Sequence, residues 1–422
     1  MESPLAILST QIKAYQKVFS RKAIIIKWSA LILIGVLCFC CESSPPGGRR
    51  DALDKGGHSL LNPGIGEGLT VEFAENFSIA NYATHTVAHI HFESDQRGLA
   101  FDQKIIFYPK GGEKPAVPEP FENTWFIEVP LQTVAANYDG EIIRLKSLGL
   151  MDNIIGMGGG GIYEPQLRKR WEEKKIASIG YSFHAAPLAE VILALNPDVL
   201  LLHSYDHGRL ETLSKLRKLG VNAIPQFAWA EPSILGKAEW IKFTALFFNK
   251  EEEANRLFHD IVSRCQELQR LVGEEVNPRK VFMTYFPSSE SDWSVHRNDY
   301  YASFLEFAGA ENVLKDEGPN HQVGMNNETL LSLANEADIW ITNNTSDAEW
   351  PPARYLTSFK AYREGQVYHY QKRTRYEHNA YDWYETPEVR PDLVLEDLIS
   401  IFYPDLLPNH ELLFFERVDL EK

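Results

Sequence analysis

Three groups of residues in this 422-residue sequence have the type and spacing to do chemistry, and none of them spells an enzyme. Cys38, Cys40 and Cys41 stand directly behind a short apolar run, Trp28–Leu37, which Arg21, Lys22 and Lys27 precede. Basic flank, short apolar core and then a cysteine make an export signal, too short for a comfortable membrane span. A thiol in that setting is acylated and becomes the new N-terminus. Cys41 is the expected lipid carrier because the small Cys40 precedes it. The second group is Met157–Gly161 (MGGGG), a glycine run after a strand-like stretch. It has no Gly-Lys-Ser/Thr ending and no spaced G-x-G-x-x-G, so a cleft-lining turn is expected in place of a phosphate loop. The third is His85, His89 and His91. His85 and His91 fall on one strand face, and surface imidazoles are the expected reading. No G-x-S-x-G or H-E-x-x-H occurs, which leaves a hydrolase only unmarked paired carboxylates to work with.

Composition narrows the partners. The formal charge is −16, and the first 40 residues contribute five basic side chains (Lys13, Lys17, Arg21, Lys22, Lys27) against Glu2, so the remainder stands at −20. A body that acidic argues against a nucleic-acid partner. An apolar content of 44% supports a sizeable core, and the aromatic load (23 Phe, 18 Tyr, 9 Trp) suits either a ligand cleft or a large core. Cys265 is the one cysteine outside the N-terminal group, so no disulfide forms within the body.

The elements that must position any site are organised around Asn249–Val272. Asn249 is a natural N-cap, Glu251–Glu253 fill the first turn, and Ala254, Leu257, Phe258, Ile261, Val262, Cys265, Leu268, Leu271 and Val272 recur every three or four residues. The pattern predicts one helix of roughly 35 Å acting as a strut. Before it, residues 1–41 form the signal, 42–68 a Pro- and Gly-rich tether, and 69–130 a β-rich extension. From Leu131 to Phe248, strand and helix patterns alternate with short links, which implies a parallel sheet whose ligand edge is the carboxyl end of its strands. The loops at that edge are Met157–Tyr163, Ser204–Gly208 and Phe227–Glu231. The same alternation resumes from Pro278 to Leu407, leaving 408–422 as a tail. The fold class is α/β: two Rossmann-like lobes bridged by one long α-helix, with a β-rich N-terminal extension.

Several motifs resemble a known family. LAEVILALNPDVLLL (Leu188–Leu202) and LRKLGVNAIP (Leu216–Pro225) are similar to the first lobe of the substrate-binding proteins of ABC importers, in the rigid-hinge branch that serves ferric siderophores, haem and cobalamin. Leu235–Ala254 resembles the lead into that family's inter-lobe helix. Phe304–Leu314, Glu328–Thr342 and Tyr384–Leu407 resemble its second lobe. The resemblance implies a metal-chelate ligand, a permease dimer as partner, attachment to the membrane through the lipid, a monomeric state and no cofactor of its own. It carries Glu190 and Glu328 over as the two glutamates that dock on the permease. It also places a cleft between the lobes, where Tyr205, Trp229, Tyr285, Trp293, Trp350, Trp383 and Tyr384 offer aromatic faces, and Arg297, Arg373 and Arg375 can pair with carboxylates. A bare-metal receptor of the related zinc and manganese type is the alternative, drawing on His184, His203, Asp206, His207, His296 and His378.

Overall fold

The computed structural model describes residues 68–420, apart from 95–96, 117–123, 182, 184, 274–276, 288–291, 317–322 and 349. The export signal with Cys41, nearly all of the tether, and His184 lie outside the described residues.

The β-rich extension is an antiparallel-to-parallel sheet in the order β1 (Phe77–Asn81), β2 (Thr86–Ser94), β3 (Leu99–Pro109), β4 (Trp125–Val129). Ala88, Ile90 and Phe92 alternate inward along β2, and His89 and His91 share its outer face with rings 5.2 Å apart. His85 precedes the strand and stacks on Tyr82, so it does not share that face.

The first lobe is a five-stranded, all-parallel sheet among the described residues. Its order is β7 (Ala177–Ser178), β6 (Ile154–Met157), β5 (Val134–Ala136), β8 (Val199–His203), β9 (Ala223–Gln226). Its helices are α1 (Asp139–Ser147), α2 (Pro165–Glu172), α3 (Ala189–Leu195), α4 (His207–Lys218) and α5 (Ile234–Leu246). The strands are apolar on both faces because both faces are covered: Val134, Ala136, Val199 and Leu201 enter one core, and Ala135, Leu200 and Leu202 the other.

The strut is α6 (Glu251–Val272). Its cap differs from expectation. Asn249 has φ +53°, a left-handed conformation that Asn tolerates, and Lys250 takes the N-cap position without a side-chain bond. The stripe buries Ala254, Phe258, Ile261, Cys265, Leu268 and Val272 against α5 and α11 (Pro391–Phe402), whereas Leu271 faces outward. Burial pushes the Cys265 thiol up to about 12, so it is an inert core group.

The second lobe only partly repeats the first. β10 (Lys280–Pro287) pairs in parallel with β12 (Glu311–Asn312) and β14 (Ile339–Thr342), and β14 with β15 (Val367–His369). Two antiparallel strands, β11 (Asp292–His296) and β13 (Val323–Asn326), extend the sheet on one side. On the other side β18 (Glu416–Arg417) pairs antiparallel with β15. Of the expected tail 408–422, the described residues 408–420 are packed: they add this edge strand and bury Phe414 and Phe415. Helices α7 (Tyr300–Phe307), α8 (Asn327–Ala334), α9 (Ala353–Leu356) and α10 (Lys360–Arg363) precede α11, and β16 (Thr374–Arg375) with β17 (Ala380–Tyr381) forms a small hairpin.

One apolar core runs through both lobes, including Ile142 (α1), Trp240 (α5), Phe258 (α6), Phe304 (α7) and Leu395 (α11). A hinge crossed by continuous close packing resists wide opening, because any side chain of that core exposed by the motion would cost about 1.5–3 kcal/mol. Every residue of α5 is buried, and its charged members are all paired. Lys237 meets Glu388, and Glu239 meets Lys242 and the backbone amides of Glu72, Phe73 and Ala74.

Candidate functional site

The carboxyl ends of the first sheet carry an aromatic plate. Tyr138 follows β5, Phe183 follows β7, His203 ends β8 with Tyr205 just beyond, and Trp229 sits on the turn after β9. Tyr138 stacks on His203 (centroids 4.3 Å, 11° between planes), and Phe183 on Tyr205 (5.4 Å, 23°). His203 meets Tyr205 at 5.2 Å and Trp229 edge-on at 6.3 Å. Two arginines brace the plate, Arg209 over Tyr205 (4.6 Å) and Arg97 over Trp229 (4.8 Å). Phe183 remains 49% exposed, an apolar ring presented to solvent beside polar neighbours. Burial, then the charges of Lys237 and Arg209, hold His203 well below the usual imidazole range, so it is a neutral ring in the stack.

The second lobe answers with phenols. Tyr285 at the end of β10 receives a hydrogen bond from the Tyr384 hydroxyl (3.3 Å), Tyr301 of α7 stacks on Trp383 (5.7 Å), and Tyr370 does so from the other side (4.5 Å). The His296 ring lies 5.3 Å from Tyr301 and 6.3 Å from Tyr285. Its Nδ1 is fixed by Asp299 at 2.6 Å, while its buried Nε2 has no hydrogen-bond partner among the described residues. Asp299 in turn caps α7, its other oxygen accepting from the Ala302 amide. Just past β14, Asn343 and Asn344 are buried, and among the described residues neither amide atom of Asn343, nor the amide nitrogen of Asn344, has a hydrogen-bond partner. Buried polar groups without partners are uncommon, and each is open to a water, an ion or a ligand.

Between the plates, the lobes are pinned by charge. The Glu388 carboxylate accepts from the Tyr138 hydroxyl (2.8 Å) and pairs with Lys237 (2.6 Å) and Arg144 (3.1 Å), which also pairs with Glu141 (2.5 Å). Further out, the Tyr163 amide donates to Glu385 (2.5 Å), and Arg373 and Arg375 each lie 4.8 Å over the Tyr163 ring. The glycine run makes this approach possible. A Cβ at Gly158 would lie 2.7 Å from the Tyr181 ring, one at Gly160 2.5 Å from Trp171, and one at Gly161 3.2 Å from the carbonyl oxygen of Asn379 in the second lobe.

The residues singled out in the sequence therefore divide. Tyr205 and Trp229 join the first plate; Tyr285, Trp383 and Tyr384 join the second; Arg373 and Arg375 meet Tyr163. Trp293 and Trp350 lie elsewhere, both edge-on to Trp340 (5.3 and 5.5 Å) in the core behind the second sheet, so packing is their role. Arg297 is ion-paired with Asp316 and donates to the Leu314 carbonyl (3.1 Å), which engages its fork locally. Glu190 and Glu328 are exposed in the first turns of α3 and α8. The imidazoles of the bare-metal alternative do not converge: His203 is stacked, His207 and His378 are exposed, and among the described residues no group of three His, Cys, Asp or Glu is placed to hold a metal. Sequence reasoning missed Tyr138, Tyr163, Arg168, Phe183 and Tyr301. The available signal was position, since Tyr138 and Phe183 stand a few residues past strand ends.

One parallel-sheet lobe and one mixed-sheet lobe, joined by α6 and each carrying an aromatic cluster beside its strand ends, define a two-lobed fold. A periplasmic binding protein family model matches residues 158–374, and the chain belongs to that family. An uncharacterized lipoprotein of Methanocaldococcus jannaschii is 25% identical over 311 residues, 71% of this chain and 72% of its own. A second uncharacterized lipoprotein of that organism is 26% identical over 255 residues, 57% of this chain and 64% of its own. Among solved structures, the fold is similar to the periplasmic heme-binding protein RhuT of Roseiflexus sp. RS-1 in apo form (TM-score 0.52, 20% identity, 65% of this chain and 99% of that one). It is also similar to a periplasmic binding protein of Veillonella parvula (0.53, 14%, 76% and 99%) and to CeuE of Helicobacter pylori with Ni(II) bound (0.52, 14%, 68% and 88%). Among the described residues, no helix is long and apolar enough to cross a membrane.

Proposed function

We propose that this protein is the lipid-anchored substrate-binding component of an ABC importer, and that its cargo is an iron chelate (a ferric siderophore) or a related metal macrocycle such as haem or cobalamin. The observation that carries this reading is that each lobe holds an aromatic cluster beside its strand ends, Tyr138, Phe183, His203, Tyr205 and Trp229 in the first and Tyr285, Tyr301 and Tyr384 in the second, with the Tyr138 hydroxyl reaching Glu388 across the lobes. Flat π faces suit a planar macrocycle or a catecholate better than a bare ion. His296, with Nδ1 held by Asp299 and Nε2 unpartnered, offers one imidazole that can reach the metal of such a chelate directly. The protein does no chemistry on the cargo. Cys41 carries the lipid, and Glu190 and Glu328, one exposed carboxylate per lobe, dock on arginines of a permease dimer, where they set register more than affinity.

The test is co-elution: the protein is mixed with ferric siderophores, haem, cobalamin and ferric citrate, passed through a sizing column, and the ligand is recovered and analysed. One chelate retained and returned unchanged supports the reading. Recovery of a hydrolysed or reduced ligand would replace it with an enzyme.

A further inference from the structure

The β-rich extension reaches the ligand edge of the first lobe through Arg97 and Gly98, which lie between β2 and β3. Ser94 pairs with Leu99 across these two strands, and the Arg97 amide donates to the Ser94 carbonyl (3.2 Å). From there the Arg97 side chain meets two strand-end loops at once. Its guanidinium lies 4.8 Å over the Trp229 ring, in the loop after β9, and its Nη1 donates to the Tyr205 carbonyl (3.2 Å), in the loop after β8. The strands of the hairpin add rings of their own. Phe92 of β2 stacks on Phe227 (4.6 Å, 19°) and meets Trp229 edge-on (5.6 Å), and Phe101 of β3 tilts onto Phe227 (5.5 Å). The Trp229 indole is held separately by the Ser204 carbonyl, to which its N–H donates (3.2 Å). Among the described residues β9 is the edge strand of the first sheet, so the sheet offers no further strand to support Trp229. The hairpin takes that place.

We propose that the β2–β3 hairpin of the extension is an outer wall of the cargo cleft, and that Arg97 is its positioning residue, holding the Trp229 ring and the Tyr205 loop in the arrangement the cargo meets. The identity of the cargo rests on the chelate-binding reading. What is added is that selection among chelates is set in part by a segment outside the family match, which begins at residue 158. An indole on a loop beside an edge strand is free to swing. A guanidinium stacked over its face and hydrogen-bonded to the neighbouring loop removes that freedom beforehand, so binding does not have to order the ring. Arg97 acts here through Trp229 and not on the charge of the cargo. A lysine keeps the charge but lacks the plane that covers the ring while donating to Tyr205. Because Arg97 is exposed, its replacement leaves the core packing in place.

The experiment uses the full chain with Arg97→Met, Arg97→Lys, Trp229→Phe and the double variant Arg97→Met, Trp229→Phe. The first readout needs no cargo: acrylamide quenching of Trp229, taken as the difference from Trp229→Phe, with the melting temperature alongside. Arg97→Met is expected to make Trp229 more quenchable at an unchanged melting temperature. The second readout is calorimetric affinity for haem, cobalamin, ferric citrate and a ferric catecholate. For the chelate that the parent chain binds, Arg97→Met is expected to weaken binding about fivefold or more. Arg97→Lys should lose less, and Arg97→Met should cost little once Trp229 is already Phe, because residues in contact act as a unit. Losses that simply add in the double variant would overturn positioning through Trp229. Full recovery in Arg97→Lys would do the same, by making charge alone the cause. A lowered melting temperature with every tryptophan more quenchable would leave Arg97 a structural residue only. Unaltered quenching of Trp229 in Arg97→Met, in a chain that still binds a chelate, sinks the wall and leaves the proposed function standing. A more quenchable Trp229, in a chain whose parent binds none of the four chelates, upholds the positioning and sinks the proposed function.

Discussion

The Arg144 guanidinium of the first lobe lies 3.1 Å from the Glu388 carboxylate of the second, and both side chains are buried. The two residues are 244 positions apart in the chain. Glu388 also holds Lys237 and Tyr138, so one carboxylate gathers three groups of the first lobe. Removing it takes the ion-pair partner from buried Lys237 and leaves Arg144 with Glu141 alone. Glu388→Gln is expected to lower unfolding stability by roughly 3–5 kcal/mol, the cost of breaking a buried pair from one side. Urea denaturation measures this; a loss under about 1 kcal/mol would mean the network is solvated and does not fasten the lobes.

Asp139 predicts a pH dependence. Burial raises its carboxyl from 3.8 to about 7; the Tyr181 hydrogen bond opposes this, and the Glu388 charge adds to it. A carboxyl whose folded value lies above its unfolded value binds extra protons when folded. Stability from this group is therefore present at low pH and declines as pH rises from about 4 to about 7, with no further change above that. Glu141 and Glu385, also raised by burial, act in the same direction. Asp139→Asn should flatten the fall in melting temperature across that window. A variant whose profile matches the parent chain would show that Asp139 titrates as an exposed acid.

The extension is held by two carboxylates. Glu239 accepts from the amides of Glu72, Phe73 and Ala74, and Glu231 from those of Glu75 and Asn76 and from the Trp240 indole. Glu239→Ala strands these donors and removes the partner of Lys242, a loss of roughly 2–4 kcal/mol. Limited proteolysis should then cut between residues 69 and 76 before it cuts elsewhere. Cleavage at unaltered rate would show that side-chain packing of Phe73 and Phe77 suffices.

Gly158→Ala tests the close approach behind the aromatic plate. The new Cβ would sit 2.7 Å from the Tyr181 ring and 3.1 Å from its Cα, so backbone must move. The expected cost is about 1–3 kcal/mol, with a matching loss of ligand affinity because Tyr181 packs on Phe183. Affinity unchanged beside lowered stability would uncouple the loop from the cleft.

How much of this was legible in the sequence varied with the physics involved. The strut and the parallel strands announce themselves through period and apolar runs, because burial on one or two faces imposes those patterns locally. Strands β11 and β13 do not, since DWSVH and VGMN carry neither a clean alternation nor a long apolar run. The expected strand-end loops put Trp293 and Trp350 with the other cleft aromatics, but the pairing of β11 and the packing on Trp340 place them in the opposite core. Arg168 was missed because α2, with its surface-like charge, gives no hint that one of its arginines turns inward. The Arg144–Glu388 pair could not be read at all, because long-range charge pairing leaves no local pattern.

The central claim is that the facing aromatic plates bind a metal chelate. Tryptophan fluorescence of the full chain, titrated with ferric siderophores, haem, cobalamin, ferric citrate and free zinc, tests it most directly, since Trp229 and Trp383 belong to the two plates. The account predicts saturable quenching by one chelate at micromolar or tighter affinity, weakened about tenfold or more by Phe183→Ala, which removes an exposed ring of the first plate. Quenching by free zinc alone, or by a chelate equally well in the Phe183 variant, would contradict it.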